Sequence, residues 1–178
     1  MIIKKGFYDR HTLKVSRDLL GCFLVRKYKG GIYRVMISEV EAYRGFHDLA
    51  SHASRGRTPR NEIMFGRPGH AYVYLVYGMY WMLNVVTEKK DFPAAILIRR
   101  GIVNDQEMEE LGGPGKLTKF LFIDKGLNGV DLTVGKKLWI ELGKFDRKKY
   151  HIVKSPRVGV DYAKHCKYWK WNFSLGRK

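Results

Sequence analysis

Alternating apolar and polar positions divide most of the chain into short strands. CFLVRKY (22–28) and IYRVMISEVEAY (32–43) flank Lys29, Gly30 and Gly31 and read as a β-hairpin. HAYVYLV (70–76) and YWMLNVV (80–86), joined by a turn at 77–79, read as a second hairpin. AAILIRR (94–100) opens with an unbroken apolar run, the pattern of a buried strand. KLWIEL (137–142), HIV (151–153) and YWKWNF (168–173) predict three more short strands. Helical spacing predicts a helix over DRHTLKVSRDLLG (9–21), stopped by Gly21. NDQEMEEL (104–111) starts with capping residues and predicts a short acidic helix, and GKLTKFLFID (115–124) predicts a third helix, opening just after Pro114. GRPG (66–69) is a turn, and residues 44–62, rich in His and Arg, form a long loop of the kind that often carries function. The chain has no internal repeat and no linker. This order predicts one α+β domain over residues 1–178, a mostly antiparallel sheet with helices packed around it.

Composition sharpens the picture. A chain of 178 residues with 45% apolar content can bury a core and is not disordered by composition. No apolar run reaches the length of a membrane span. MIIKKGFYDR lacks the features of a secretory signal, so the expected location is the cytoplasm, on nucleoid DNA in a prokaryote. Cys22 and Cys166 lack metal-ligand spacing and read as free thiols in a reducing compartment, with a single bridge as the alternative. Thirty-four Lys and Arg against seventeen Asp and Glu leave +17, an excess that suits a polyanionic partner, nucleic acid above all. A merely solubilising surface is the plain alternative. A membrane surface fits less well, because no basic amphipathic helix is present.

Three stretches carry candidate chemistry. With period two, Val35, Ile37, Glu39 and Glu41 share one face of their strand, so two carboxylates continue an apolar line. Ordinarily such acids face solvent or pair with arginine; here they run directly into Tyr43 and the His/Arg loop. RGRTPRN (55–61) has charges and a proline that neither a core nor a helix interior accepts. It is either a solvated loop or a grip on phosphates. Tyr72 and Tyr74 are ordinary strand residues taken alone. Tyr77, just before Gly78 at a turn, is an unusual place for a core ring. Proteins that bend or open a duplex insert such wedges between bases.

Taken together, EAY (41–43), SHASRGRTPRN (51–61), YVYLVYGMY (72–80), LNVV (83–86), AAILIRR (94–100), GPGKL (113–117) and RVGVD (157–161) resemble the alkyladenine (3-methyladenine) DNA glycosylase family. The likeness runs from about residue 9 to residue 173. It implies a compact α+β fold similar to the C-terminal domain of methionyl-tRNA formyltransferases, a hairpin that enters the minor groove, and no metal or organic cofactor. By position, Glu41 matches the general base, while Arg99 and the carbonyl of Val158 match the groups that hold the attacking water. Tyr43, His52 and Tyr74 match residues that sandwich and read a flipped base. Tyr77 matches the intercalating residue, and Asn84 the residue that screens against undamaged guanine. Arg60 and Lys116 lie in blocks near the DNA and are assigned to phosphate.

The partner so implied is double-stranded DNA containing a damaged purine, bound by a monomer. The reaction would be hydrolysis of the N-glycosidic bond of an alkylated or deaminated purine. An ionised carboxylate stabilises the oxocarbenium-like sugar and takes a proton from water. No lysine falls in a catalytic position, so an abasic site without strand cleavage is expected. The chain departs from the family after Arg99, where Arg100, Gly101, Ile102 and Val103 replace a small residue and an acidic–proline pair. The segment up to Gly113 is also short, which bears on one pocket wall and on lesion preference. A non-catalytic nucleic-acid-binding module of the same fold is the alternative.

Overall fold

The computed structural model describes residues 1–104 and 109–178. The strands among these are β1 (Phe23–Tyr28), β2 (Gly31–Arg44), β3 (Ala71–Val76), β4 (Tyr80–Val86), β5 (Ala94–Asn104), β6 (Glu109–Leu111), β7 (Leu138–Glu141), β8 (Tyr150–Ser155) and β9 (Asn172–Arg177). All of them join one antiparallel sheet. Its main path is β3-β4-β5-β2-β1-β7, with β6 beside β5, β9 beside β2 and β8 beside β9. Three short α-helices among the described residues accompany it: α1 (Lys5–Tyr8), α2 (Thr12–Leu19) and α3 (Pro114–Phe120). The α+β expectation holds.

The sheet is organised by the 14-residue β2. One edge pairs with β5 along residues 36–44. The other edge is divided, pairing with β1 along 31–36 and with β9 along 39–41. Leu24, Val35, Ile37, Val40, Ile96, Ile98, Leu117 and Leu121 form the centre of the main core. Each such side chain stabilises the fold by roughly 1.5–3 kcal/mol on burial. Gly101 lies where β5 passes under α3; a Cβ there would sit 3.0 Å from Val35 Cγ2 and 3.1 Å from Leu117 Cδ1.

Several sequence expectations are corrected. The expected helix at 9–21 is narrower, opened by His11, whose Nδ1 accepts the Leu13 N–H at 3.3 Å. The four-residue α1 is too short to show a period. NDQEMEEL does not begin or end as helix: Asn104 closes β5, and Glu109–Leu111 pair back onto it as β6, so ladder bonds replace the capping pattern. Residues 105–108 lie outside the described part. The helix after Pro114 stops at Phe120, since Phe122 turns left-handed at φ 49°. Within the long loop, His52–Arg55 forms a 3-10 turn, and a second such turn covers Glu62–Phe65. Of YWKWNF only Asn172 and Phe173 are strand; Tyr168 ends a 3-10 segment beginning at Asp161. Trp169 and Trp171 pack against each other, 4.4 Å between ring centroids, instead of alternating across a sheet. Cys22 and Cys166 are both buried and free. No helix among the described residues is long and apolar enough to cross a membrane.

Candidate active site

The site begins with a fault in β2. The β2–β5 register shifts between Ile37 and Glu39 and again between Glu39 and Val40, the mark of a β-bulge. A bulge re-aims every side chain after it. Val35, Ile37 and Val40 therefore all enter the main core, although strict alternation would have put Val40 on the other face. Glu39 and Glu41 leave that face together. The predicted continuous line of Val35, Ile37, Glu39 and Glu41 is thus broken at Ser38–Glu39.

Glu41 is completely buried. Its Oε1 accepts the backbone N–H of Val158 at 2.8 Å and Asn172 Nδ2 at 3.1 Å. Its Oε2 accepts the Tyr43 hydroxyl at 2.8 Å and Arg99 Nη1 at the longer distance of 3.4 Å. Burial, reinforced by the adjacent Glu41, holds the Tyr43 phenol well above its ordinary value, so it remains a donor. Tyr43, Arg99 and Val158 line a cleft of about 360 Å³, and Glu41 lies directly beneath them. The resemblance points to the Val158 carbonyl, whereas the contact seen here is made by its N–H.

The opposite part of the cleft is aromatic. His52 and Tyr74 pack edge to face with centroids 4.6 Å apart, and Tyr72 lies behind Tyr74 at 5.1 Å. His52 Nδ1 and the Tyr72 hydroxyl are 2.9 Å apart. Burial, helped by Arg60, lowers the His52 pKa and keeps the ring neutral. Burial next to Glu41 pushes the Tyr74 phenol up to about 12. Asn84 lies across the β3–β4 ladder from Tyr72 and donates its amide to the Tyr72 carbonyl at 3.1 Å.

Tyr77 sits at the tip of the β3–β4 hairpin, 87% exposed, which removes the core alternative. Tyr77 and Gly78 are both left-handed, at φ 52° and 67°, and the turn closes through Met79 N–H to the Val76 carbonyl at 3.1 Å. A non-glycine residue held there costs on the order of 1–3 kcal/mol, strain of the kind that gathers at functional sites. Arg60 reaches back to the same hairpin: its guanidinium lies 5.6 Å from the Tyr74 ring centroid, and Nη2 donates to the Leu75 carbonyl at 3.3 Å. Lys116 is exposed on α3, two residues past Pro114, which lines the cleft. Of the departing residues, none of Arg100, Gly101, Ile102 and Val103 lines the cleft.

Reasoning from sequence missed four residues that build the site. Asn172 bridges Glu39 and Glu41, with Nδ2 2.7 Å from Glu39 Oε1. The Arg157 side chain is completely buried and forms a bidentate pair with Asp48 at 2.6 and 2.7 Å. It also donates to the Ala42 carbonyl at 2.8 Å, and its guanidinium lies 4.8 Å from Tyr43 and 5.2 Å from Trp171. That clamp fastens the segment carrying Val158 against β2. Asn61 closes the arginine loop through bonds to His52 and Gly56 carbonyls, both at 2.9 Å. Arg157 and Asn61 lie inside blocks that carried the resemblance; Asn172 had no local signal.

Residues 6–177 match the methylpurine-DNA glycosylase family. A protein of Methanocella arvoryzae is 47% identical over 185 residues, covering 97% of this chain and 91% of its own. Proteins of Carboxydothermus hydrogenoformans and Desulfitobacterium hafniense are 45% and 40% identical, covering 94% and 96% of this chain and 93% of their own length in each case. All three carry the provisional name 3-methyladenine DNA glycosylase. With nearly every residue matched, the chain belongs to the methylpurine-DNA glycosylase family, DNA-repair enzymes that hydrolyse N-glycosyl bonds.

Proposed function

We propose that this chain, acting as a single-domain monomer, releases alkylated or deaminated purines from duplex DNA after the nucleotide has rotated out of the stack. Water is the nucleophile and an abasic site is the product. The observation that carries this reading is a fully buried carboxylate, Glu41, on which four donors converge at the foot of an aromatic cleft. A module that only binds nucleic acid has no use for that arrangement, which is the argument against the non-catalytic alternative.

In this reading Glu41 removes a proton from water, and its charge faces the sugar as positive charge develops on it. Arg99 and Val158 position the water. The base lies between the Tyr43 ring and the packed His52–Tyr74 pair. A cationic alkylated purine gains roughly 0.5–2 kcal/mol from each aromatic face it meets. The neutral His52 adds no charge against it. Asn84, fixed by its bond to Tyr72, screens the minor-groove edge. Arg60 and Lys116 contact phosphate. No lysine is among the described residues that line the cleft, in keeping with a hydrolytic route.

The direct test is incubation with duplex DNA carrying an N-alkylated purine, followed by assay of free base and of alkali-labile sites. Free base and alkali-labile sites should accumulate together, with strand scission only after alkali. If the DNA is bound and no base appears, the non-catalytic module takes the place of this reading.

Tyr77 has its own expected result. Tyr77→Ala should melt like wild type, because the ring is exposed, whereas a core aromatic would cost about 3–5 kcal/mol. Release from paired DNA should slow by about 10-fold, the scale of one lost aromatic–base stack of ~1–3 kcal/mol. The defect should shrink when the lesion faces a gap or mismatch, where unpairing costs less. An equal defect on every substrate would rule out intercalation.

A further inference from the structure

A carboxylate has about four acceptor positions. On Glu41 three are filled at 2.8–3.1 Å, and the fourth contact, from Arg99, is 3.4 Å long. Arginine ordinarily closes on a carboxylate with two short parallel bonds. Here Arg99 does not, and the reason is visible behind it. Its Nε–H donates to Glu39 Oε1 at 3.0 Å. Glu39 is 5% exposed and does not line the cleft. It is anchored by Asn172 Nδ2 at 2.7 Å and, through Oε2, by Arg100 Nε at 2.6 Å. Nothing in the proposed chemistry uses this second buried acid.

We infer that Glu39 is a positioning residue: it holds Arg99 back from Glu41, so that the fourth acceptor position of Glu41 serves the attacking water. The inference rests on the glycosylase reading of the site. Glu39 touches no reacting atom. It acts by drawing Arg99 sideways and by offsetting its charge. Without that counter-charge, Arg99 swings onto Glu41, fills the water's position and neutralises the base. Asn172, shared by both acids, keeps their spacing constant.

The charged and titratable groups around the pair are Arg99 and Arg100 from β5, Tyr43 from β2, Glu110 from β6, Tyr74 from β3, and Arg157 and Tyr162 from the segment before β9. Among them, Arg100 contacts Glu39 and not Glu41. Its side chain is 44% exposed, and Nη1 also lies 3.7 Å from Glu110 Oε2. Two substitutions therefore change the local charge in opposite directions. A like charge nearby disfavours the ionised form of a carboxylate, and a positive charge favours it.

The test is single-turnover release of a cationic N-alkylated purine from duplex DNA across pH, since that leaving group needs no added proton. Glu39→Gln should lower the plateau rate between ~10- and 100-fold, the scale of a misplaced reacting group. Its acid limb should move to lower pH, and its affinity for DNA with an abasic-site analogue should not change. Arg100→Gln should move the acid limb to higher pH. Limbs that stay in place, or move the same way in both variants, would overturn the role of Glu39 alone. A wild-type protein that releases no base would overturn the reading of the site as well. Should Glu39→Gln fail to fold, the direction of the Arg100→Gln shift still decides.

Discussion

In Glu41→Gln, release of an alkylated purine from duplex DNA should fall by at least ~10²-fold, the usual cost of losing a general base. Affinity for the same DNA should stay near wild type. The substitution is nearly isosteric: the amide oxygen can still accept from Val158 N–H and Asn172, which now hold Oε1 at 2.8 and 3.1 Å. What disappears is the negative charge and the capacity to take a proton. Both matter as the sugar becomes cationic, and neither is needed to hold the aromatic walls in place. The loss should therefore appear in the single-turnover rate and not in the dissociation constant. The thermal transition should stay well clear of the assay temperature, because Arg99 keeps Glu39 as a partner. Near-wild-type release would remove Glu41 from the chemistry and with it the proposed mechanism.

Arg157→Met should produce the largest loss of stability. Both side chains of the Asp48–Arg157 pair are fully buried. Removing the arginine leaves Asp48 as an uncompensated buried charge, which costs about 3–5 kcal/mol. At this chain length, that corresponds to a fall in Tm of roughly 6–20 °C. Asp48→Leu combined with Arg157→Met should recover much of it, since replacing a buried ion pair by packed apolar side chains is often close to neutral. Base release should not recover in the double variant. Arg157 also binds the Ala42 carbonyl and lies against Tyr43 and Trp171, so its loss frees the backbone that presents Val158 N–H to Glu41. Melting curves and release rates on the two variants separate the contributions. If activity returns with stability, the clamp is only structural and has no part in shaping the site.

Tyr77 and NDQEMEEL differ in how far local sequence specifies structure. An aromatic residue before glycine, between two alternating runs, marks an exposed hairpin tip because turn chemistry is local. The structure finds Tyr77 there, left-handed and exposed. NDQEMEEL shows the opposite case. Its capping residues favour a helix, yet Glu109–Leu111 complete a ladder with β5, and pairing with a distant strand overrides local preference. YWKWNF fails for a related reason: its tryptophans serve a cluster around Arg157 rather than a sheet face.

By itself, the sequence determined the α+β class, the two hairpins, the tip at Tyr77, the excess of positive charge and the blocks that hold Glu41, Arg99 and the aromatic residues. All but the last rest on neighbours a few positions away, through side-chain alternation, turn preference or composition; the blocks stand out only through their resemblance to the glycosylase family. The tertiary structure alone decided which way the acids point and what holds them. The bulge at Ser38–Glu39 falls where β2, paired with β5 on one edge, passes from β1 to β9 on the other. No short-range pattern encodes that division. The donors that complete Glu41 come from 117 and 131 residues away, in Val158 and Asn172. Asn172 reaches Glu41 across the β2–β9 ladder, and Val158 follows directly after Arg157, which is paired with Asp48 across 109 residues. Long-range register and the pairing of buried charges become definite only when distant segments exclude water from one another.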